Sequence, residues 1–400
     1  MADTWVNVGC SADVDSRLAG AEAARVALAG DDPRLLIAFF AGTHDPEAVA
    51  AGVRSVGGEV SLIGCPTAGE IADGWAGDGA VVVVALGGPG LAVKVSGTEV
   101  IDPDAAERRD TGVRASVLRD AGARAVAPFE SLPGGDHRFA LVLTDGQAGH
   151  QQDLIRGAYA AVGASVPLVG GCGASPSISA FANAPLICDD RVLRNGVVAA
   201  SIASDNPFGI GLRHGWERTG DAVEVTSTDR NEVLELDHQP ALDTYLTLLD
   251  APDECWTDEH AFQSFSLLHP LALRRPGGDE VRVVAYPNYE NRSFSSAADV
   301  PADSVAWLLR GDADALLTAT DEAFDAAIAG VGDRPVAGLL AFDCVGRRGV
   351  LAPRGLTDVT RMTSRAAGAS FAGFYCHGEI ARTRGTTGYH NQALVVLALS

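Results

Sequence analysis

Two stretches far apart in the chain share one spacing. Gly64-x4-Gly69-Glu70-Ile71-Ala72 returns as Gly373-x4-Gly378-Glu379-Ile380-Ala381. Each follows a short apolar run, so each marks a strand running into a tight turn. A repeated supersecondary unit is a strong constraint on a fold, because every copy must bury its open face against neighbours. The surrounding order repeats as well. Leu35–Ala41, a helix and Ser61–Cys65 form one unit, which continues into Val81–Leu86 and Leu91–Ser96. Ala140–Thr144, a helix and Pro167–Cys172 form a second, which continues into Gly196–Ile202 and Gly209–Trp216. Val336–Phe342, a helix and Ser370–Gly373 form a third, ending in Leu394–Leu399. Cys65 and Cys172 then fall at equivalent places in the first two units. Two unrelated strand-to-turn transitions that both need glycine would leave the same trace.

Three stretches carry helical periodicity. Val49, Val53 and Val56 share a face of Asp45–Val56; Leu154, Ile155, Ala158 and Val162 share one in Gln151–Val162; Asp358–Ala367 is the third. Between Thr219 and Ala251 the pattern changes. Gly220–Val225 and Val233–Leu236 read as a hairpin pair, followed by a helix with Pro240 in its first turn. The acidic stretch Thr247–Glu259 reads as a loop. The expected fold is α/β in the mixed, α+β sense. It has two domains, 1–220 and 221–400, with large mixed β-sheets flanked by helices and built from repeated strand–helix–strand–hairpin units.

Composition narrows the function. The 400 residues carry 30 basic and 52 acidic side chains, a net charge of −22. Such a chain repels phosphate backbones on average, so nucleic acid is not an expected partner. Seven cysteines without a C-x-x-C spacing argue against a zinc ribbon and fit reduced thiols. The first twenty residues lack a secretory pattern, and no apolar run approaches the ~18–20 residues of a spanning helix. The expectation is a cytoplasmic protein with no membrane partner.

Several residues bear chemistry. Gly64–Glu70 turns sharply after a strand, offering the Cys65 thiol, the Thr67 hydroxyl and the Glu70 carboxylate to a ligand. Glu379 repeats Glu70, and two such carboxylates in one cleft would favour an amine or a metal between them. The same glutamates serve equally as helix caps or local braces. His390-Asn391-Gln392 enters the last strand, able to contact a ligand or to satisfy a turn. Asp145 opens the glycine-containing loop Asp145–His150 before a helix, able to hold an anion or merely to cap. A nucleophilic role for Cys65, Cys172 or Cys376 needs a nearby base that no motif supplies. The nine histidines form no H-x-x-x-H pair, so no metal site is expected. No cofactor is called for; a haem needs one axial histidine, for which His377 and His269 are the candidates.

Five pieces, in order over residues 34–399, carry a family resemblance. Ile63-Gly64-Cys65-Pro66-Thr67-Ala68-Gly69-Glu70-Ile71 is similar to a GCSTAGEI signature. Thr144-Asp145-Gly146 with Val169-Gly170-Gly171 resembles a second-half motif. Gly215–Gly220 leads to Glu235-Leu236-Asp237-x-x-Pro240-Ala241-Leu242-x-x-Tyr245. Gly373-Phe374-Tyr375-Cys376-His377-Gly378-Glu379-Ile380 and His390-Asn391-Gln392 complete the set. Together they resemble the FIST proteins, with a FIST N-terminal and a FIST C-terminal domain. Two positions depart: Pro66 stands where serine is common, and an aspartate often carried near Gly171–Ser175 is missing. The resemblance implies an intracellular sensory protein of signal transduction that binds a small ligand, with amino acids or their derivatives proposed. It points to Cys65, Thr67, Glu70, Asp145, Gly171, Cys172, Tyr375, His377, Glu379, His390 and Asn391 as ligand contacts, and to no catalytic residues. Its alternatives are a haem-binding nitric-oxide sensor and a Cys- or Glu-dependent hydrolase or transferase. The output would lie in a separately encoded partner, such as a histidine kinase or a cyclic-dinucleotide enzyme.

Overall fold

The computed structural model describes residues 4–100, 111–146, 151–174, 184–275, 278–383 and 388–400. Unit one comprises β1 (Trp5–Ser11), α1 (Ser16–Ala27), β2 (Pro33–Ala41), α2 (Pro46–Gly57), β3 (Ser61–Thr67), the hairpin β4 (Glu70–Ala72) and β5 (Trp75–Gly77), and the return strand β6 (Val81–Gly87). Unit two repeats the order with β7 (Leu91–Glu99), α3 (Thr111–Val126), β8 (His137–Asp145), α4 (Gln151–Val162), β9 (Leu168–Gly173), the hairpin β10 (Leu186–Cys188) and β11 (Arg191–Leu193), and β12 (Gly196–Ser204). Unit three opens with β13 (Phe208–Arg213). An insertion follows: strands β14–β21 within Glu217–Arg310, with α5 (Ala241–Leu248) and α6 (Glu259–Ser266). The unit resumes with α7 (Ala313–Gly330), β22 (Gly338–Cys344), α8 (Val345–Leu351), α9 (Thr357–Ala366), β23 (Ser370–Cys376), the hairpin β24 (Glu379–Arg382) and β25 (Gly388–His390), and β26 (Leu394–Leu399). The three helices expected from periodicity are α2, α4 and α9. Asp45 caps α2 by accepting from the Ala48 N–H (2.7 Å), with Pro46 in its first turn.

Each unit is a parallel strand pair joined by a helical crossover: β2 with β3, β8 with β9, β22 with β23. The return strand runs antiparallel to the first of each pair. The units then exchange pieces in a ring. The hairpin β4–β5 extends sheet three beside β23, β10–β11 extends sheet one beside β3, and β24–β25 extends sheet two beside β9. The strand after each return strand starts the next sheet, so β7 lies on β12 and β13 on β26. Val81–Leu86 and Leu91–Ser96, adjacent in sequence, therefore belong to different sheets. The result is three six-stranded sheets of one design, related by a pseudo-threefold exchange, and an eight-stranded sheet inserted into unit three.

Strand alternation decides the faces. Phe39, Cys65, Leu141, Leu143, Phe342 and Phe374 meet in a core shared by the three sheets. The alternate residues pack outward: Ala38 and Phe40 with α1 and α2, Val142 and Cys172 with α3 and α4, Leu339 and Ala341 with α7 and α9. Cys65 and Cys172 thus face opposite sides of their sheets and are not equivalent. Register pairs Ala38 with Gly64, Val142 with Gly170 and Ala341 with Gly373, so Gly170 is the partner of Gly64, and Cys172 stands one residue further on than Cys65. These three positions require glycine, since an added Cβ would sit 2.6, 1.9 and 1.8 Å from the carbonyl oxygens of Ala38, Val142 and Ala341.

The inserted sheet has its own core around Tyr245, Phe262 and Phe294. Its first strand, β14 (Glu217–Asp229), contains Gly220 and pairs with β15 (Glu232–Leu236), the expected hairpin. Within the stretch read as an acidic loop, Asp253–Trp256 forms a 3-10 turn and α6 begins at Glu259.

Candidate functional site

The places where hairpins cross between sheets hold several buried polar side chains, Thr67, Glu70, Glu379 and Asn391 among them. At the one-to-three junction the Ala68 N–H donates to Tyr375 O (2.9 Å) and the Tyr375 N–H to Gly69 O (2.8 Å). At the three-to-two junction the His377 N–H donates to Cys172 O (3.2 Å) and the Cys172 N–H to Gly378 O (2.9 Å). At the two-to-one junction the Ala174 N–H donates to Pro66 O (2.9 Å), and Pro66 has no N–H to return the bond.

Glu70 and Glu379 occupy the same place in two of these crossings. The Thr67 hydroxyl donates to Glu70 Oε1, and the Ala80 N–H to Oε2 at 3.1 Å. The Cys376 thiol donates to Glu379 Oε1 at 3.4 Å, and the Ala393 N–H to Oε2 at 3.0 Å. Each carboxyl thus ties an exported hairpin back to the return strand of its own unit. Both are fully buried. Burial pushes Glu70 up to about 7 and Glu379 well above the usual carboxyl range. They belong to separate junctions and do not converge on one cleft, contrary to the expectation from their matched spacing. Alternation and spacing placed them correctly within their units, but the hairpin exchange sends them to different sheets.

The three-to-two junction opens into a cavity of about 520 Å³ against the inserted sheet. The unit side supplies Gly146, Cys344, His377, Tyr389, Asn391 and Gln392; the inserted sheet supplies Asn231, Tyr286, Ser295 and Ser296. None of the described lining residues is an acid, an arginine or a lysine. Burial pulls His377 below its usual range, so it is neutral. Asn391 lies at the floor and is 1% exposed. The Tyr389 hydroxyl donates to His377 O (3.4 Å) and also lies beside the Asn391 side chain, close enough to interact with it; neither atom of that amide reaches full hydrogen-bond geometry with a partner among the described residues. Gln392 is stitched to the insertion: Trp216 Nε1 donates to its carbonyl (3.0 Å), and its own Nε2 donates to Leu267 O (3.1 Å). A smaller cavity of about 220 Å³ shares Asn231, Ala297 and Tyr389 with the first and adds Gln151 and Gln152.

A third cavity, about 550 Å³, lies on the other side of the same segment, between the insertion and α7. His390 and His214 line it. Its arginines are paired within the protein, Arg213 with Glu322 (3.3 Å) and Arg275 with Glu280 (2.9 Å). The His390 ring bonds Ala381 O through Nε2 (2.9 Å), and burial drives His214 down to about 4.

Of the residues expected to contact a ligand, the structure brings His377 and Asn391 together in the first cavity and places His390 in the other. Cys65 lies in the shared core, and Gly171 lies against the Phe374 ring. Cys172 bonds the Thr144 hydroxyl (3.0 Å) and is pushed up to about 12 by burial; Cys65 is raised well above its usual range for the same reason. Tyr375 stacks under Arg348, and Asp145 accepts from the Ala184 N–H (2.9 Å). The rest of the Asp145 loop lies outside the described residues. Gln392, named with His390 and Asn391 as able to contact a ligand, also lines this cavity; Tyr389 was missed although it directly precedes that triplet. Ser295 and Ser296 carried no signal, because only the docking of the insertion makes them neighbours of unit three.

Among the described residues, no group of three metal-binding side chains gathers, and no helix is long and apolar enough to cross a membrane. A family model for the FIST N domain matches residues 34–239, and one for the FIST C domain matches residues 241–382. The chain belongs to the FIST family. No curated protein matches it. FIST domains are associated with sensory roles in signal transduction. In this FIST protein the border between the two models, at residue 240, falls inside the inserted sheet. The N-domain match therefore includes the first strand of unit three, and the C-domain match the rest of that unit through β24.

Proposed function

We propose that this FIST protein senses a small molecule bound in the cavity between the three-to-two junction and the inserted sheet. The observation that carries the reading is the Asn391 amide, buried at the cavity floor with the Tyr389 hydroxyl beside it and no partner at full hydrogen-bond geometry among the described residues. A buried amide without partners costs about 1–3 kcal/mol per unmet group, and a ligand that met it would recover that cost. The cavity lies between two bodies of the chain, so a ligand touching both would favour one arrangement of the insertion over another, the requirement for a sensor. The proposed partner is a separately encoded signalling enzyme, a histidine kinase or a cyclic-dinucleotide enzyme, reading the surface of the ligand-set state.

An amino acid or its derivative is the ligand class suggested by resemblance. The described lining offers no ion to an ammonium or a carboxylate, which favours a derivative with its charges masked. The neutral His377 ring, without a hydrogen bond among the described residues, is the group that could ligate a haem iron. The remaining walls suit that group poorly: they carry amides and hydroxyls, with no described cation to meet propionates. The raised thiols of Cys65 and Cys172 give no support to a nucleophilic enzyme.

The test is a thermal-shift screen of the purified protein against neutral and charged metabolites, after its visible spectrum is recorded. A ligand at 100 times its Kd adds about 2.7 kcal/mol. Stabilisation that disappears in Asn391→Ala is the expected result. A Soret band, or stabilisation indifferent to Asn391, would overturn the assignment to this cavity.

A further inference from the structure

The pseudo-threefold design lets one junction show what the other is shaped to hold. Asp78 and Asn391 are equivalent: each stands two residues before the alanine whose N–H binds the bracing glutamate. The hairpin registers agree, pairing Glu70 with Gly77 and Glu379 with His390. Ala68 and His377 are likewise equivalent, each preceding the Gly-Glu of its crossing. At the one-to-three junction the place in front of these two residues is filled by Arg348. Its guanidinium binds Asp78 through two contacts, Nη1–Oδ1 at 2.8 Å and Nη2–Oδ2 at 2.9 Å, donates to Ala68 O, and lies over the Tyr375 ring at 4.8 Å. At the three-to-two junction no arginine lines the corresponding place among the described residues. There the cavity opens, with Asn391 in place of Asp78.

Resting on the reading of this cavity as a ligand site, we infer that it takes a ligand presenting an uncharged planar edge with a carbonyl beside an N–H, as in a carboxamide, lactam or imide. Arg348 shows that a flat, nitrogen-bearing group fits between the two positions. The exchange of aspartate for asparagine changes what is asked of that group. A carboxylate only accepts and selects a cation; an amide offers one acceptor and one donor side by side and selects an edge that does both without charge. The described lining agrees, since it holds no ionised side chain that would balance a guanidinium or an ammonium.

The experiment is calorimetric titration of the full chain with nicotinamide, uracil and hydantoin as neutral edges, methylguanidine as the cation, and free amino acids as zwitterions. At least one neutral edge binds the wild type, and Asn391→Ala weakens it by about tenfold or more, the size of one hydrogen bond left unmade. Asn391→Asp reverses the order, so that methylguanidine binds better than any neutral edge. Should that variant fail to fold, Arg348→Ala provides the converse: methylguanidine restores its thermal stability and the neutral edges do not. Tighter wild-type binding of methylguanidine, an unchanged order in Asn391→Asp, or no rescue of Arg348→Ala would overturn the inference. Binding of an amino acid alone, lost in Asn391→Ala, would overturn it while leaving the sensor reading intact. No binding by any compound would overturn both.

Discussion

The one-to-three and three-to-two junctions are built on the same frame and finished differently. Both cross by paired backbone bonds, both use a buried glutamate to hold the hairpin to its return strand, and both place a polar residue three positions before that strand. In the first, α8 lays Arg348 across the crossing and closes it. In the second, the described residues leave a cavity in front of the polar residue, which is an amide with the Tyr389 hydroxyl beside it. The frame is maintained by burial, which tolerates little change at either junction. The two junctions differ where the packing departs from the shared frame, and there the Asn391 amide is left without full hydrogen-bond geometry among the described residues.

The helix that carries Arg348 is anchored by its neighbour. Arg347, fully buried, pairs with Asp343 (2.7 Å) and donates to the Thr320 hydroxyl (2.8 Å). Asp343→Ala strands that guanidinium, and the expected loss is about 3–5 kcal/mol in denaturant unfolding. A loss under about 1 kcal/mol would show that the closed junction does not depend on this anchor.

The next effect is one of pH. Native Glu70 keeps its proton to about pH 7, whereas the unfolded chain releases it near its ordinary value of 4.5. Between those values the native state binds more protons, so stability falls as pH rises through the window, by up to about 3 kcal/mol. Glu70→Gln, which cannot ionise, flattens that slope. Thermal melts from pH 4 to 8 check it, and an identical slope in the variant would remove Glu70 as the cause.

Smaller again is the matched pair Glu70→Ala and Glu379→Ala. Each leaves one buried backbone N–H, of Ala80 or Ala393, without its acceptor, at about 1–3 kcal/mol. Chemical denaturation of the two variants sharpens the comparison: similar losses mean a common frame, and a marked difference means that the cavity already weakens the three-to-two brace.

Much of the architecture was legible in local pattern. Helices α2, α4 and α9, the strands, and the recurrence of Gly-Glu-Ile-Ala all follow from periodicity and spacing, and the two glutamates do make equivalent bonds. The pairing of Cys65 with Cys172 failed because a one-residue slip in a strand moves a side chain to the opposite face, and glycine-rich runs do not mark their own register. The cavity was only half visible. His377 and Asn391 stood out as polar residues beside strands, while Ser295 and Ser296 gave no sign of lying opposite them.

By itself, then, the sequence determined the repeated strand–helix–strand unit, the family, and the residue types available at each crossing, since these depend on neighbours within a few positions. The tertiary structure alone decided which sheet each hairpin joins, that the two glutamates stand apart, and that Asn391 faces a cavity where Asp78 faces an arginine. Those outcomes depend on contacts between segments hundreds of residues apart, and local periodicity carries no information about which distant edge a strand will complete.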